Sequence, residues 1–534
     1  MQAQSTDAAG AGDARLVNSF ANDPGAEELP LAPVPPPAGP AHFAIPGWSG
    51  QSGLFLPGTL EFQAGQLAVV LDQVFATWCE LFADTVIWQS GVPRLPITPR
   101  AGQDLNAYYD RQGLHFFFHA DPVTQQTIYT CESSDIVAHE CGHAILDAEH
   151  PDYWDSLLTE TAAFHEAFGD ISAILVTLNN PAVRAAILKE NAGDLAKSNA
   201  VTRIAEQLAR GLFNAGKRDA VVSARALRDL ADDFSYRDPD QLPPRAPAAK
   251  LSSESHSFSR IFSGAFYDLL VGIYEQCLKE DSALVPDVAL TQAVNVSGRL
   301  LAQGLVLAPK GDAPFKTIAA CMFTVNAREF AGQYFGPLRK AFVDRGVLEG
   351  GEAETLQQTR GASRTQTSGL GTASGSIGTP RLGVAAAQPG EEIPSQIRQW
   401  LQLPQLDFRL LADRLKPDRG RVLHYVAPRE LWLKGNDLGV AADAIVAVTD
   451  AVAINLDDAG QMLSAHQYTV DRAHETRIRN HVANLIQRGR VYAATQGERI
   501  DPAVLMERKQ PYYVGFDESG QKRIRRGFIA CARH

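Results

Sequence analysis

Two imidazoles and a carboxylate sit together in the run Ser134-Asp135-Ile136-Val137-Ala138-His139-Glu140-Cys141-Gly142-His143. Residues four apart on a helix share a face, so His139 and His143 can bind one ion side by side. Glu140 follows the first histidine directly, where its carboxylate reaches an ion-bound water rather than the ion. That grouping points to metal-assisted hydrolysis. The plain alternative is a solvated helix that carries two histidines.

A catalytic zinc ion needs a third protein ligand and an open position for water. The second helical run, Thr159-Glu160-Thr161-Ala162-Ala163-Phe164-His165-Glu166-Ala167-Phe168-Gly169-Asp170, supplies candidates. Glu166 and Asp170 share a face, so one can ligate while the other orients a ligand imidazole, a role that outer carboxylates commonly play. Standing alone, such a pair is an ordinary polar helix face. Cys141 lies inside the first motif but faces away from the two histidines, as a small buried hydrophobe would. His474 and His481, with Arg477 and Arg479 between them, read as a solvated helix face rather than a second metal site.

The elements that must position these groups belong to a chain of 534 residues, long enough for several domains. A net charge of −12 argues against nucleic acid as the main partner. No apolar run is long enough to span a membrane. The N-terminus lacks the basic start and apolar core of a secretory signal, and six scattered cysteines form no CxxC pair and read as free thiols. The expected location is cytoplasmic, or outside the cell by a route that reads no N-terminal signal.

Residues 1–41, ending in LPLAPVPPPAGPA, read as a disordered Pro-rich leader. Residues 42–178 begin with helical spacing over 61–90, pass through strand-like runs at NAYYDRQGLHFFFHA and QQTIYTCESSD, and turn helical again from Ser134. Residues 179–349 are mostly helical. Residues 350–392 are rich in Gly, Ser, Thr and Ala and read as a flexible linker, because little apolar surface offsets their ordering entropy. Residues 393–534 alternate strand-like and helix-like runs and end in YYVGFDESGQKRIRRGFIA, which reads as a terminal hairpin. The whole is an α+β chain of two lobes, a mixed-sheet N-terminal lobe and a mostly helical one, with a separate small α+β domain of unassigned role at the end.

Six segments in one order resemble the thermolysin-like neutral zinc metallopeptidases, a gluzincin group in which HExxH is completed by a downstream glutamate. SDIVAHECGHAI is similar to the family's first zinc helix and TETAAFHEAFGDI to its second. Asn106-Ala107-Tyr108-Tyr109 resembles its edge strand, and Ala226-Leu227-Arg228 with Asp238-Pro239-Asp240 its arginine segment. His256-Ser257-Phe258-Ser259 with Tyr267 is similar to its H-x-x-S…Y helix, and YFGPLRKAFVDRGV to its closing helix.

The resemblance implies one catalytic zinc ion on His139, His143 and Glu166. Glu140 would be the general base, and His256 would donate to the developing oxyanion. Asn106 and Ala107 would align the substrate strand, and Arg228 would bind a carbonyl beyond the scissile bond. Ile136 and Leu227 fall where the family lines its pocket for a bulky apolar side chain, and core packing accounts for them equally well. The sequence also departs from the family. The spacing from His143 to Glu166 is longer than usual, and Tyr153 is the candidate for the oxyanion-binding tyrosine although Trp154 stands beside it. His165 replaces an asparagine and would support His143 or compete for the metal. Leu251 occupies the place of the acidic residue that orients the transition-state histidine, with Glu254 as a substitute. Asp135 matches one calcium ligand, but Thr177 stands where a glutamate is expected, so calcium is an open alternative. The partner implied is a peptide or protein substrate, and the C-terminal domain could bind a protein. The competing reading keeps the fold as an inactive binding or scaffolding module.

Overall fold

Thr59 starts the first long helix, α1 (Leu60–Phe82), by accepting the Phe62 amide on its hydroxyl, and Ala83 ends it in the left-handed conformation. Leu67, Leu71, Val74 and Trp78 are all buried. The helix is central because three neighbours cover it: α2 (Ser134–Glu149), α3 (Thr159–Leu178) and the helix Pro286–Leu307. The computed structural model describes residues 16–27, 29, 31–37, 41–358, 363–366, 382, 388–416 and 420–532.

The strand-like runs before α2 build a five-stranded sheet. Its order is Ile529–Ala530, Ala107–Tyr109, Leu114–Phe116, Leu95–Thr98, Phe43–Ala44. Ala107, Tyr109, Leu114 and Phe116 are buried, so the apolar and aromatic side chains of these two strands pack into the core that the helices share. The outermost strand comes from the far end of the chain. Of the expected terminal hairpin, Tyr512–Phe516 and Lys522–Arg526 do pair antiparallel. Past Gly527, however, the chain leaves them and joins the N-terminal sheet.

The second lobe is helical. Arg260–Glu280, Pro286–Leu307, Phe315–Glu329 and Phe335–Asp344 pack on one another, and Phe258, Phe262, Phe315 and Phe342 meet ring to ring among them. Their apolar core is continuous with that of the first lobe. The C-terminal domain has an eight-stranded sheet, dominated by the antiparallel pair Arg421–Trp432 and Ile445–Leu456, and the helix Arg472–Gln487. That domain is docked. Leu157 and Leu158, just before α3, share a core with Val446, Tyr468, Ile478 and Val482.

The stretch expected to be a disordered leader carries structure from Leu16 onward. Val17–Ser19 pairs antiparallel with Ala32–Val34, and the loop between them reaches the start of α2. Asp23 Oδ2 accepts from Ser133 Oγ at 2.6 Å, and the Asn22 carbonyl accepts from the Ser134 amide. Polar contacts to the N-terminus of α2 hold the loop together with Val17, Ala26 and Leu29, which are buried in the main core, and a Pro-rich composition registers neither. Of the expected linker, Gly350–Gln358 is helical, and Ser363–Gln366 runs parallel to Met462–Tyr468. Residues 359–362, 367–381 and 383–387 lie outside the described residues, as do residues 1–15. The six cysteines are free thiols. Among the described residues, no single helix is long and apolar enough to cross a membrane.

Candidate active site

Ser133 caps α2 by accepting the Ile136 amide, and the first turn also carries the carboxyl of Asp135, which burial and then Asp23 push well up. The helix is buried nearly all round, so its polar residues must find partners inside the protein. Its neighbour α3 comes unusually close. A Cβ on Gly142 would lie 2.6 Å from Ser172 Oγ and 3.1 Å from Gly169 Cα. One on Gly169 would lie 2.5 Å from His139 Nδ1. These two glycines set the helix spacing that brings a carboxylate of α3 to the histidines of α2.

The His139 and His143 rings meet edge to face with centroids 4.7 Å apart. Glu166 Oε2 lies 3.4 Å from His139 Nε2 and 4.0 Å from His143 Nε2. All three atoms are buried and lack a hydrogen-bond partner, as do both Glu140 oxygens. Such orphaned atoms are costly unless something else binds them. Two ligands each about 2.0 Å from a tetrahedral ion stand about 3.3 Å apart, so the spacing fits atoms arranged around a metal. His139, Glu140 and His143 also form a buried metal-capable group by themselves, with ligand atoms within 4.8 Å of one another. Two imidazole nitrogens and a carboxylate oxygen are a donor set that could hold zinc.

Charges around the cluster are balanced pairwise. Burial alone would raise Asp170, yet Arg228 and His139 hold its carboxyl below the ordinary range. Arg228 donates to Asp170 through Nε and Nη2, the shortest contact being 2.6 Å, and Asp170 Oδ1 lies 3.0 Å from His139 Nδ1. Burial works against a charged His139, but its contacts with Asp170 and Glu166 lift it to about 9. His143 goes the other way. Burial and then the charge of His139 push it well down, which leaves a neutral imidazole. Burial raises Glu140 to about 8 despite the opposing charge of His139.

The groove beside the cluster is lined by the other expected residues. His256 Nδ1 lies 2.6 Å from Glu254 Oε1, so Glu254 is the carboxylate that meets this ring. His256 Nε2 lies 2.7 Å from the Ala530 carbonyl oxygen. Both ring nitrogens therefore face acceptors. Burial opposes protonation, but Glu166 and Glu254 outweigh it and raise the imidazole above its usual value. Arg228 Nη1 donates to the Cys531 carbonyl at 3.2 Å, and Asn106 Oδ1 accepts from the Ala532 amide at 3.0 Å. The Ala107 carbonyl accepts from the Cys531 amide at 3.0 Å. Nothing local in the sequence marks the tail residues, since their partners lie hundreds of positions away.

Other expectations are not met. Tyr153 does not join the cluster. The short 3-10 turn Pro151–Tyr153 faces it inward, where its ring stacks on His150 at 4.4 Å and its hydroxyl has no hydrogen-bond partner. Beyond burial, the charges acting on it are those of Asp152, Cys321, Asp312 and Glu149. Trp154 does not replace it, because its Nε1 donates to the Arg526 carbonyl. His165 sits 5.8 Å from His143, ring to ring, and neither of its nitrogens makes a hydrogen bond, so it packs against His143 without holding it. Asp135, the candidate calcium ligand, accepts from the Ala205 amide at 3.1 Å. His481 is no solvated residue. It is buried against Thr159, with Nδ1 2.9 Å from the hydroxyl.

No protein-family model and no curated protein sequence matches the chain. Among solved structures, the precursor of protealysin, a metalloproteinase from Serratia proteamaculans, aligns at 15% identity. The alignment covers 64% of this chain and 91% of that one, with a TM-score of 0.34. So distant a likeness leaves the assignment to the site. There, the resemblance to a gluzincin-type zinc peptidase holds in three dimensions: α3 delivers a glutamate to the two histidines of an HExxH helix, and the glutamate inside that motif stays free.

Proposed function

We propose that the chain is a zinc-dependent endopeptidase that binds an extended peptide along the Ala107–Tyr109 edge and prefers an apolar residue after the scissile bond. The observation that carries this is the set of buried, unpaired atoms of His139, His143 and Glu166, spaced as around one ion, with the unpaired carboxylate of Glu140 beside them. His139, His143 and Glu166 would hold zinc, with Asp170 fixing the His139 ring. Bound zinc supplies Lewis acidity to a peptide carbonyl and acidifies water. Calcium is not part of this proposal.

Glu140 takes the proton that water loses as its oxygen bonds to the carbonyl carbon. It then passes that proton to the departing amine, so water and one peptide bond become a carboxylate and an amine. Burial suits Glu140 to this exchange, because it raises the carboxylate's proton affinity toward neutral pH. His256, held by Glu254, donates to the carbonyl oxygen as charge builds there. Arg228 grips the next carbonyl, and Asn106 and Ala107 fix the strand. Ile136 and Leu227 would line the apolar pocket.

Glu140→Gln tests the reading. It should bind zinc one to one, as the wild type does, and lose about 10²- to 10⁴-fold in kcat on a protein substrate. The position of Tyr153, away from the cluster, favours a second reading, a peptide-binding module without turnover. Stoichiometric zinc with no chelator-sensitive cleavage by the wild type would select it.

A further inference from the structure

The groove holds a peptide, and the peptide is the chain's own. Ile529 and Ala530 pair antiparallel with Tyr109 and Tyr108, and the pairing continues through the Cys531 amide to the Ala107 carbonyl. Three side chains expected to handle substrate meet the same short segment. His256 faces the Ala530 carbonyl at 2.7 Å, and Arg228 donates to the next carbonyl, that of Cys531, at 3.2 Å. Asn106 accepts the Ala532 amide at 3.0 Å. Cys531 is fully buried, and the charges of Glu140, Arg228, Glu166 and Asp170 act on its thiol. Phe528, packed with Tyr108, Leu505 and Met506, anchors the segment where it enters.

The register locates a bond. The carbonyl opposite the oxyanion donor belongs to Ala530, and the carbonyl gripped by the arginine belongs to the residue after it. We propose that Phe528–Ala532 is an intramolecular substrate and that the peptide bond Ala530–Cys531 is the one hydrolysed. This rests on the peptidase reading and extends it to a processing site in the chain itself. The water oxygen bonds to the Ala530 carbonyl carbon, the C–N bond breaks, and the Cys531 nitrogen leaves as an amine with the proton passed on by Glu140. A cleft lined by Glu166, His256, Arg526 and Ala530 opens beside the segment. Because the segment is tethered beside the site, its effective concentration is far above that of a free peptide. Until the bond is cut, the groove is closed to other peptides. Cutting frees the part beginning at Cys531, which fills the positions held by Ala107, Arg228 and Asn106.

The test uses the full chain prepared metal-free and then given one equivalent of zinc, with intact mass followed over time. The expected result is a new C-terminus at Ala530, formed at a rate independent of protein concentration. Glu140→Gln with zinc bound should keep its full mass. In that uncut variant, alkylation mapped by mass spectrometry reports docking without turnover. Cys531 should react at least tenfold more slowly than after adding Ile529→Pro, since the bond from the Cys531 amide to Ala107 puts the Ile529–Tyr109 pair in hydrogen-bonded register, where proline removes a ladder donor. A zinc-loaded chain that cleaves an added peptide yet keeps its own mass, or is cut elsewhere, overturns the proposal while the peptidase reading stands. Equal alkylation with and without Ile529→Pro overturns the docking. A zinc-loaded chain that cleaves neither itself nor any added peptide sinks the peptidase reading, and this proposal with it.

Discussion

Asp170 serves two neighbours at once, steadying the His139 ring and neutralising Arg228. Removing it would free a ligand imidazole and leave a buried guanidinium without its main counter-charge. Asp170→Ala should therefore weaken zinc binding about 10- to 100-fold. It should also cost the metal-free chain about 3–5 kcal/mol of stability. Asp170→Asn, similar in shape but uncharged, should recover part of the zinc affinity and little of the stability. Competition with a chelating dye and urea unfolding read the two effects separately, and unchanged zinc affinity in both variants would show that His139 needs no such support. Residues of this kind were legible in sequence because HExxH and the Glu166/Asp170 pair are local patterns on single helices. Glu254 was harder. It meets His256 from two positions away, not from the spacing occupied by Leu251. The tail was not legible at all, since Ala532 meets Asn106 across 426 positions and no local pattern encodes such a pairing.

At the scale of elements, the site depends on how closely α2 and α3 approach. A carboxylate on one helix reaches imidazoles on the other only if the backbones come near, and Gly142 and Gly169 permit that. Sequence periodicity identified both helices but not their separation, which only the missing Cβ atoms reveal. Gly169→Ala would place a methyl group 2.5 Å from His139 Nδ1, closer than atoms pack, so the ring or the helix must shift. The expected outcome is a folded chain that has lost most of its zinc, with helical circular dichroism near that of the wild type. Full zinc occupancy in a folded Gly169→Ala chain would mean that the helix spacing is not what sets the site. The misread leader makes a related point. Asn22 and Asp23 bond to the start of α2 while Val17, Ala26 and Leu29 enter the core, and the composition of a Pro-rich stretch registers neither kind of anchor.

At the scale of the whole molecule, the C-terminal domain is held on the peptidase lobes partly by buried histidines. Burial lowers His481 to about 3, with the charges of Arg488 and Arg526 adding to the effect, and it lowers His466 to about 4 beside Arg328. His481 contacts Thr159 and the Tyr512 ring, and His466 lies against Thr324. Both imidazoles are neutral in the folded chain at pH 7. Once unfolded they take up protons below about pH 6.5, so their contribution is intact above that value and declines as the pH falls. At pH 5 the loss is about 2 kcal/mol for each. Buried carboxylates pull the other way, because burial raises Asp152 to about 7 and Asp232 to about 6, and these bind protons more readily in the folded chain. The slope of total stability with pH therefore mixes opposite signs, and only a difference isolates the histidine. His481→Gln keeps a polar group for Thr159 and removes the titration. Between pH 7.5 and pH 5, the wild type should lose about 2 kcal/mol relative to this variant in urea unfolding of the metal-free chain. Stability curves that stay parallel over that range would mean that His481 is not buried neutral at the domain contact. Curves that diverge as expected would make mild acid a way to loosen the domain that carries Phe528–Ala532 into the groove.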